Sequence, residues 1–536
     1  MVLTVPQFFE RSVERVPDRP AIRNTHDRPG EPQEISYEAL GELSARLAAG
    51  LAARGITKTD RVAIISRPRI RFAATLLAIL RLGGWVVPLD PTLTRSEVEA
   101  LLGEAEVKVV FAASDALDRV PKDGVLRIDL DDGDGDLAFS DLLALSEPPA
   151  VEIAPADVAI LAYTSGTTGG AKGALLTHAN LTADIEACLR VMPITQDDVF
   201  LTIAPWHHIL GLTTALLIPL YAGALTLYTD DYRAIAALLA KNKVTIFTGV
   251  PKLYHAMYEK LLAEVRRSVL GRAMHRVAPR LVGRRIKDRL TGGSLRFFVS
   301  GSAPLDPRVS LGFRRLGIGL LEGYGLTETS PVISFCSPFS RKAGSVGRPL
   351  PGIEVKLVDR GADGVGELLA RGPTVMAGYY KNPQATSEVI DDDGWFHTGD
   401  LARIDRDGEI FLKGREKNVI VLESGKNVYP EEVEWEIGRI RYVEEVLVRR
   451  GSRGGREAVE AVVHPDRGAL EADGLLDDPK TAIWEAVKKR QVRLAPHKRI
   501  RRKEDIVLTD APFPKTSTMD IKRHLYKGGN GELDRQ

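Results

Sequence analysis

Two cysteines, Cys188 and Cys336, are all that the chain contains. They lie far apart and fit no Cys-x-x-Cys or Cys/His spacing, which excludes a disulfide framework and a structural zinc site. The reducing cytoplasm is the expected setting. No basic segment followed by an apolar core opens the chain, so no signal peptide is expected. Charge of one sign is also missing: 73 Lys+Arg stand against 72 Asp+Glu, a formal net charge of +1. No global field draws in nucleic acid or a membrane; nucleic acid is not an expected partner, and any polyanion site must be local. A long unbroken apolar run is absent as well. The uncharged stretch Ile209 to Tyr228 is interrupted by Gly211, Pro219 and Gly223, and reads as a buried helix, a turn and a buried strand rather than a bilayer span. No repeat of solenoid length occurs.

What is present suits a globular enzyme: 536 residues, 44% hydrophobic and 27% charged, long enough for at least two domains. Apolar β-rich runs alternate with helical patterns. Arg61-Val-Ala-Ile-Ile reads as a strand, Arg71 to Leu82 as a helix and Gly84 to Leu89 as the next strand. The alternation recurs around Lys108, Val158, Thr245 and Leu295, and predicts an α/β fold built from parallel βαβ units. After about Gly344, short strands separated by Gly/Asp turns predict an antiparallel β subdomain. A further α+β stretch starts near Glu416. The expected division is a large N-terminal domain, residues 1–414, and a small mobile C-terminal α+β domain, residues 415–536.

The strongest local signal is Tyr163-Thr-Ser-Gly-Thr-Thr-Gly-Gly-Ala-Lys-Gly173, set after the apolar run Val158 to Ala162 and before a stretch with helical texture. Gly166 and Gly169 let backbone N–H groups approach phosphate oxygens. The hydroxyls of Thr164, Ser165, Thr167 and Thr168 add donors, and Lys172 adds a positive charge. This composition makes a phosphate cradle. It is not a Walker A loop, because Gly173 follows Lys172 where Ser or Thr would stand.

The loop resembles the signature of the adenylate-forming superfamily of AMP-binding enzymes, which includes acyl-CoA synthetases, luciferases and peptide-synthetase adenylation domains. Further motifs match in the family's order over nearly the whole chain. Pro205-Trp-His-His-Ile-Leu-Gly211 is similar to the segment whose histidine, here His208, lies at the acyl pocket; Gly323 is implied there too. Ser302-Ala303-Pro304 looks like the adenine-flanking turn. Glu322-Gly323-Tyr324-Gly325-Leu-Thr327-Glu328 resembles the adenine and metal motif, in which Tyr324 offers a ring to the base. Thr167, Thr327 and Glu328 would offer oxygens to Mg2+. Trp395-Phe-His-Thr-Gly-Asp400 and Gly414-Arg415 resemble the ribose-binding pair, with Asp400 expected as a carboxylate in an exposed cleft. Lys417 occupies the hinge position about which the family's small domain turns between half-reactions.

The resemblance implies ATP-dependent activation of a carboxylic acid to an acyl-adenylate, then acyl transfer to coenzyme A. Lys172 and Glu328 are the expected catalytic residues. Gly378-Tyr-Tyr-Lys-Asn-Pro, Val421-Leu-Glu-Ser-Gly-Lys-Asn-Val-Tyr-Pro and the Arg-rich insert before Gly292 look most like fatty acyl-CoA synthetases, so a medium- or long-chain fatty acid is the expected substrate. The alternatives are a ligase that loads an acyl carrier protein, and a binding protein that has lost the chemistry. Two stretches are locally basic. Lys260 to Arg289 holds ten Lys/Arg against two acids and reads either as a surface that rests on a membrane or as a solvated hairpin. Val487 to Lys503 holds nine Lys/Arg and reads either as a contact for coenzyme A or carrier-protein phosphates, or as a solvated face.

One departure stands out against the family's Pro-Lys-Thr-x-x-Gly-Lys-Ile. The chain reads Pro514-Lys515-Thr-Ser-Thr-Met519-Asp520-Ile-Lys522, with Asp520 in the place of the lysine that bridges the substrate carboxylate and the phosphate. Either adenylation is impaired, or Lys522 substitutes for it. The first is favoured, because a shift of two residues moves an extended chain by about 6 to 7 Å.

Overall fold

The computed structural model of the chain describes residues 2–526 except 29, 144–146, 165–170, 302, 337–341, 424, 454–455 and 516–520. Two large sheets form the body. An eight-stranded sheet is built around the parallel strands Arg61–Ile65, Trp85–Leu89, Val109–Ala112 and Leu126–Asp129. A nine-stranded sheet is built around the parallel strands Val199–Thr202, Leu225–Tyr228, Ile246–Gly249, Phe297–Ser300 and Gly319–Gly325. The helix Ile70–Arg81 touches strands of both sheets and the helix Tyr37–Ala53. Eleven of its twelve residues, Ile70 through Leu80, are buried; they are apolar except Arg71, which pairs with Asp132 at 2.7 Å, and Thr75, whose hydroxyl donates to the Arg71 carbonyl.

The segment Ile209 to Tyr228 folds as expected: a helical turn Ile209–Leu212, a π-helical turn Thr213–Leu217, a helix Ile218–Ala222, then the strand Leu225–Tyr228. Gly223 ends the helix with φ of 80°, a left-handed conformation that glycine adopts without steric cost. Among the described residues no helix is long and apolar enough to cross a membrane.

Four antiparallel strands, Glu354–Val358, Gly366–Arg371, Phe396–Ile404 and Ile410–Arg415, make a third sheet, where the Gly/Asp turns predicted one. Beyond it, residues 420–508 have their own apolar core, with Val433, Ile437, Val448, Ala461 and Ile483 at its centre. This unit rests on the larger body through polar contacts. Arg439 pairs with Asp306 at 2.8 Å, and the Tyr429 hydroxyl donates to Asp363 at 3.1 Å.

One expectation is corrected. The segment after the glycine-rich loop is the strand Lys172–Thr177, and helix begins only at His178. Lys-Gly-Ala-Leu-Leu-Thr is too short for periodicity to separate strand from helix. Its pairing with Val158–Thr164 decides the matter.

Candidate active site

The loop hangs between two antiparallel strands whose last paired residues are Thr164 and Lys172. Ser165, Gly166, Thr167, Thr168 and Gly169 lie outside the described residues. Lys172 projects from the second strand, its Nζ 5.1 Å from the centre of the Tyr379 ring. Tyr379 is placed by pairing with that same strand, opposite Ala174. Its hydroxyl donates to Glu328 Oε1 at 2.8 Å. Burial and the Glu328 charge push the Tyr379 phenol far up, so it stays protonated and remains a donor. Glu328 and Thr327 belong to the turn Thr327–Thr329, which is tied down by a bond from Met376 N–H to the Glu328 carbonyl at 2.9 Å. Glu328 Oε2 has no hydrogen-bond partner among the described residues.

The other end of the cleft is built where the strand Gly319–Gly325 leaves the nine-stranded sheet. The residue after Phe297–Ser300 is Gly301; Ser302 lies outside the described residues, and Ala303 and Pro304 are exposed. A register irregularity at Tyr324/Gly325 ends the regular pairing there. The Tyr324 hydroxyl donates to Asp400 Oδ2 at 2.7 Å, and Arg415 Nε lies 2.8 Å from Asp400 Oδ1. Asp400 and Arg415 are direct partners on adjacent strands. Asp400 is therefore not an exposed carboxylate: it is 7% exposed. Burial raises its pKa, while Arg415 and the Tyr324 hydroxyl act the other way. Each carboxylate oxygen accepts more than one hydrogen bond, so capacity for ribose hydroxyls remains.

Glu322 belongs to the same motif, but its side chain does not join this cluster. It is buried beside the helix Pro307–Arg315, where burial pushes its pKa up to about 7 against the pull of Ser310 and Arg314. Gly323 packs under the Phe335 ring, leaving no room for a side chain.

In the segment of residues 205–211, Trp206 is buried edge-on against Phe72, with ring centres 5.7 Å apart. Gly211 is required because a Cβ there would overlap the Pro205 carbonyl. The rings of His207 and His208 lie 4.3 Å apart, and His207 Nε2 is 3.7 Å from Asp90 Oδ2. Burial lowers both imidazoles, His207 to about 3 with the neighbouring His208 adding to the effect, so both are neutral near pH 7. Leu210 packs beside Gly301, and the Thr213 hydroxyl donates to the Ser330 carbonyl at 3.3 Å. The segment after His208 thus lies against both Gly301 and the end of the Thr327–Thr329 turn.

Two residues that motif reading passed over take part. Tyr379 stands inside the quoted Gly378-Tyr-Tyr run, and its pairing with the loop strand is the signal that marks it. Asp90 follows the strand Trp85–Leu89 and so sits at a carboxyl end, where α/β sheets place ligands.

From the small domain, Lys417 occupies the exposed turn Glu416–Asn418 directly after Arg415, and its charge acts on Asp400. Asp520 lies outside the described residues. Lys522 is fixed by its own N–H, which donates to the Pro514 carbonyl at 2.9 Å, next to a bridge between Lys515 and Ile521. Lys515 pairs with Glu445, and Arg523 with Glu434. The Lys522 charge is felt at Glu97 of the large domain. Glu97 is held below the usual carboxylate range by its hydrogen bonds with Thr94 and, further, by the Lys522 charge.

Residues 9–380 match the family described as AMP-binding enzyme, and residues 417–527 its C-terminal domain. Long chain acyl-CoA synthetase 6, peroxisomal, of Arabidopsis thaliana is 30% identical over 85% of this chain and 75% of its own length. A long-chain-fatty-acid–CoA ligase of Escherichia coli O157:H7 is 32% identical over 88% of this chain and 87% of its own. Among solved structures, ATP-bound MatB from Rhodopseudomonas palustris superposes with a TM-score of 0.78 at 27% identity, covering 98% of each chain. The clustering of Lys172, Glu328, Tyr324 and Asp400 about one cleft is thus shared ancestry and not chance convergence: the chain belongs to the AMP-binding enzyme family.

Proposed function

We propose that the protein activates a medium- or long-chain fatty acid with ATP and passes the acyl group to coenzyme A. The observation that carries this reading is the pair of linked clusters, Lys172–Tyr379–Glu328 at the phosphate end and Tyr324–Asp400–Arg415 at the nucleoside end. The names of the Arabidopsis and Escherichia coli relatives support the fatty acid and coenzyme A, and ATP-bound MatB supports ATP.

In the first half-reaction a carboxylate oxygen of the acid forms a bond to the α-phosphorus of ATP. The α–β anhydride bond breaks, and pyrophosphate leaves. Lys172 supplies a positive donor to the phosphates as charge shifts onto the leaving group. Glu328, with one oxygen held by Tyr379 and the other unengaged, fits a hard cation; with Thr167 and Thr327 it would hold Mg2+, which neutralises phosphate charge. Neutral His207 and His208 border the acid without adding a charge that would pull water in. In the second half-reaction the thiolate sulfur attacks the acyl carbon, the bond to AMP breaks, and the thiol proton passes to solvent. Rotation of residues 415–536 about Lys417 would exchange the two arrangements, excluding water in one and admitting the pantetheine in the other.

Asp520 leaves the first half-reaction without the family's lysine, and we assign that role to Lys522. What supports it is that Lys522 is the next lysine in the sequence after Asp520 and is tied through its own N–H to Pro514 of the same motif. The cytoplasm suits this reading, with Cys188 and Cys336 both free and buried. Bilayer contact through residues 260–289 belongs to it as a source of the acid.

The test is an assay of the purified chain with ATP, magnesium and a panel of fatty acids, offering either coenzyme A or a phosphopantetheinylated acyl carrier protein. The expected products are AMP, pyrophosphate and acyl-CoA. Acylation of the carrier protein alone would replace coenzyme A as acceptor, and no AMP with any acid would leave a binding protein.

A further inference from the structure

Among the described residues the three most exposed large apolar side chains are Val277 at 83%, Val269 at 74% and Leu270 at 70%. All three belong to one helix, Val269–Val277, which has no buried residue. Val269, Ala273 and Val277 recur every fourth position and Leu270 falls beside them, so they form a single stripe. Leu281, 55% exposed, extends the stripe into the helix Pro279–Thr291. Met274, one turn on from Leu270 at the border of the stripe, packs on the core of the large domain, and Gly271 and His275 on the far side are half-buried. Among the described residues the stripe has no partner.

Its surroundings carry charge of one sign. From Arg266 to Arg285 there are seven arginines and no acidic residue, and every one of the seven is exposed. Arg272 and Arg276 flank the stripe along one edge. Between Val277 and Leu281 runs a shallow groove with Arg280 and Arg315 on its walls. Among the described residues none of the seven forms an ion pair with an acidic side chain, whereas Arg289 just beyond them pairs with Glu264.

We infer that residues 266–285 form a docking face for a bilayer surface that contains anionic phospholipid. Aliphatic side chains with arginines beside them match the boundary between acyl chains and headgroups, where the apolar stripe sinks and guanidinium groups meet phosphates. The face is a ridge rather than a pocket and is charged on one sign only, which suits a broad anionic plane. Its placement keeps the cleft free. The helix Pro251–Arg266 starts directly after the strand Ile246–Gly249, beside the strand that leads to Ala303 and Pro304, and its sixteen residues carry the chain about 24 Å away. The purpose of the face rests on the fatty-acid reading, since such acids partition into bilayers; its geometry does not.

The experiment is flotation of the full chain, without ATP or acid, with vesicles of phosphatidylcholine alone or mixed with phosphatidylglycerol. Binding is expected only to the mixed vesicles. Arg272→Gln with Arg276→Gln should weaken it by about fivefold per charge, about 30-fold in all. Leu270→Ser with Val277→Ser should weaken it by about tenfold or more. Both double variants should keep wild-type ATP–pyrophosphate exchange with a soluble medium-chain acid, which reports that the fold is intact. Equal binding to both vesicle types would overturn the inference, as would absence of binding to either. A loss confined to the arginine variant would also overturn it, indicating the surface of an acidic macromolecule instead. Because no substrate is present in the flotation, its outcome is independent of whether the chain is a fatty-acid ligase.

Discussion

Tyr379 joins Glu328 to Lys172 by donating its hydroxyl hydrogen bond to Glu328 Oε1 at 2.8 Å while its ring lies 5.1 Å from the Lys172 ammonium. Removing the ammonium and removing the hydroxyl should have different effects. Lys172→Ala is expected to slow ATP–pyrophosphate exchange by about 10² to 10³, as for loss of one preorganised donor. Tyr379→Phe keeps the ring and loses a bond to a charged acceptor, about 1.5 to 3 kcal/mol, so it should raise the magnesium needed for half-maximal exchange. Exchange measured across a magnesium series reports both. An unchanged rate in Lys172→Ala would remove the lysine from the cradle.

Asp400 is held by two partners in a nearly closed site, so its substitutions should separate binding from folding. Asp400→Asn keeps the shape and one acceptor and should melt near wild type, while ATP affinity falls by about 1.5 to 3 kcal/mol. Asp400→Ala also strands the Arg415 guanidinium and the Tyr324 hydroxyl, and should lose a further 1 to 3 kcal/mol or so of stability. Calorimetric titration with ATP beside thermal melts tests this. Full ATP affinity in the Asn variant would refute the ribose assignment.

The lysine question is answered by a pair of variants in the first half-reaction. If Lys522 does the work, Lys522→Ala should lower pyrophosphate exchange by about 10² to 10³ while Asp520→Lys changes it little. Thioester formation from supplied acyl-adenylate should survive in both. A large gain in Asp520→Lys with a silent Lys522→Ala would mean that adenylation is impaired as the chain stands.

Glu322 should make stability depend on pH. Its folded pKa of about 7 lies above the ordinary 4.5, so the folded state holds the proton more tightly than the unfolded one. The contribution is full below about pH 4.5 and is lost as pH rises toward 7, a fall of about 3 kcal/mol. Glu322→Gln cannot ionise and should be spared that fall. Urea unfolding of both proteins at pH 5 and pH 8 measures it, and parallel losses in the two would place the titrating group elsewhere.

Much of the site was legible because the motifs carry backbone requirements along with side chains. Tyr324 and Asp400, 76 positions apart, were assigned to one nucleotide from their motifs alone and are in contact. The burial of Asp400 was not legible, because it depends on how two sheets meet, and no local pattern encodes that. The inward turn of Glu322 was hidden for the same reason: a strand's alternation tells which residues share a face, but not which face the helix Pro307–Arg315 covers. Motif order along the α/β body was legible since alternating apolar runs determine it. The strand after the glycine-rich loop was not, because a six-residue apolar run satisfies either period.

Lys522 is tied into the small domain on both sides. Pro514 and Lys522 are joined through the backbone, and Lys515 and Arg523 are each moored to a glutamate of the small domain. Lys522, held between these ties, belongs to the small domain, so in the proposed rotation any turn at Lys417 would be delivered to it almost undiminished. Withdrawal of the cation from the phosphate and the opening of a way in for the thiol then become a single stroke. The order of the two half-reactions would be kept by mechanical linkage, in the manner of an escapement, and a glutamate as far from the substrate as Glu434 or Glu445 would belong to the timing of catalysis without ever touching the reacting atoms.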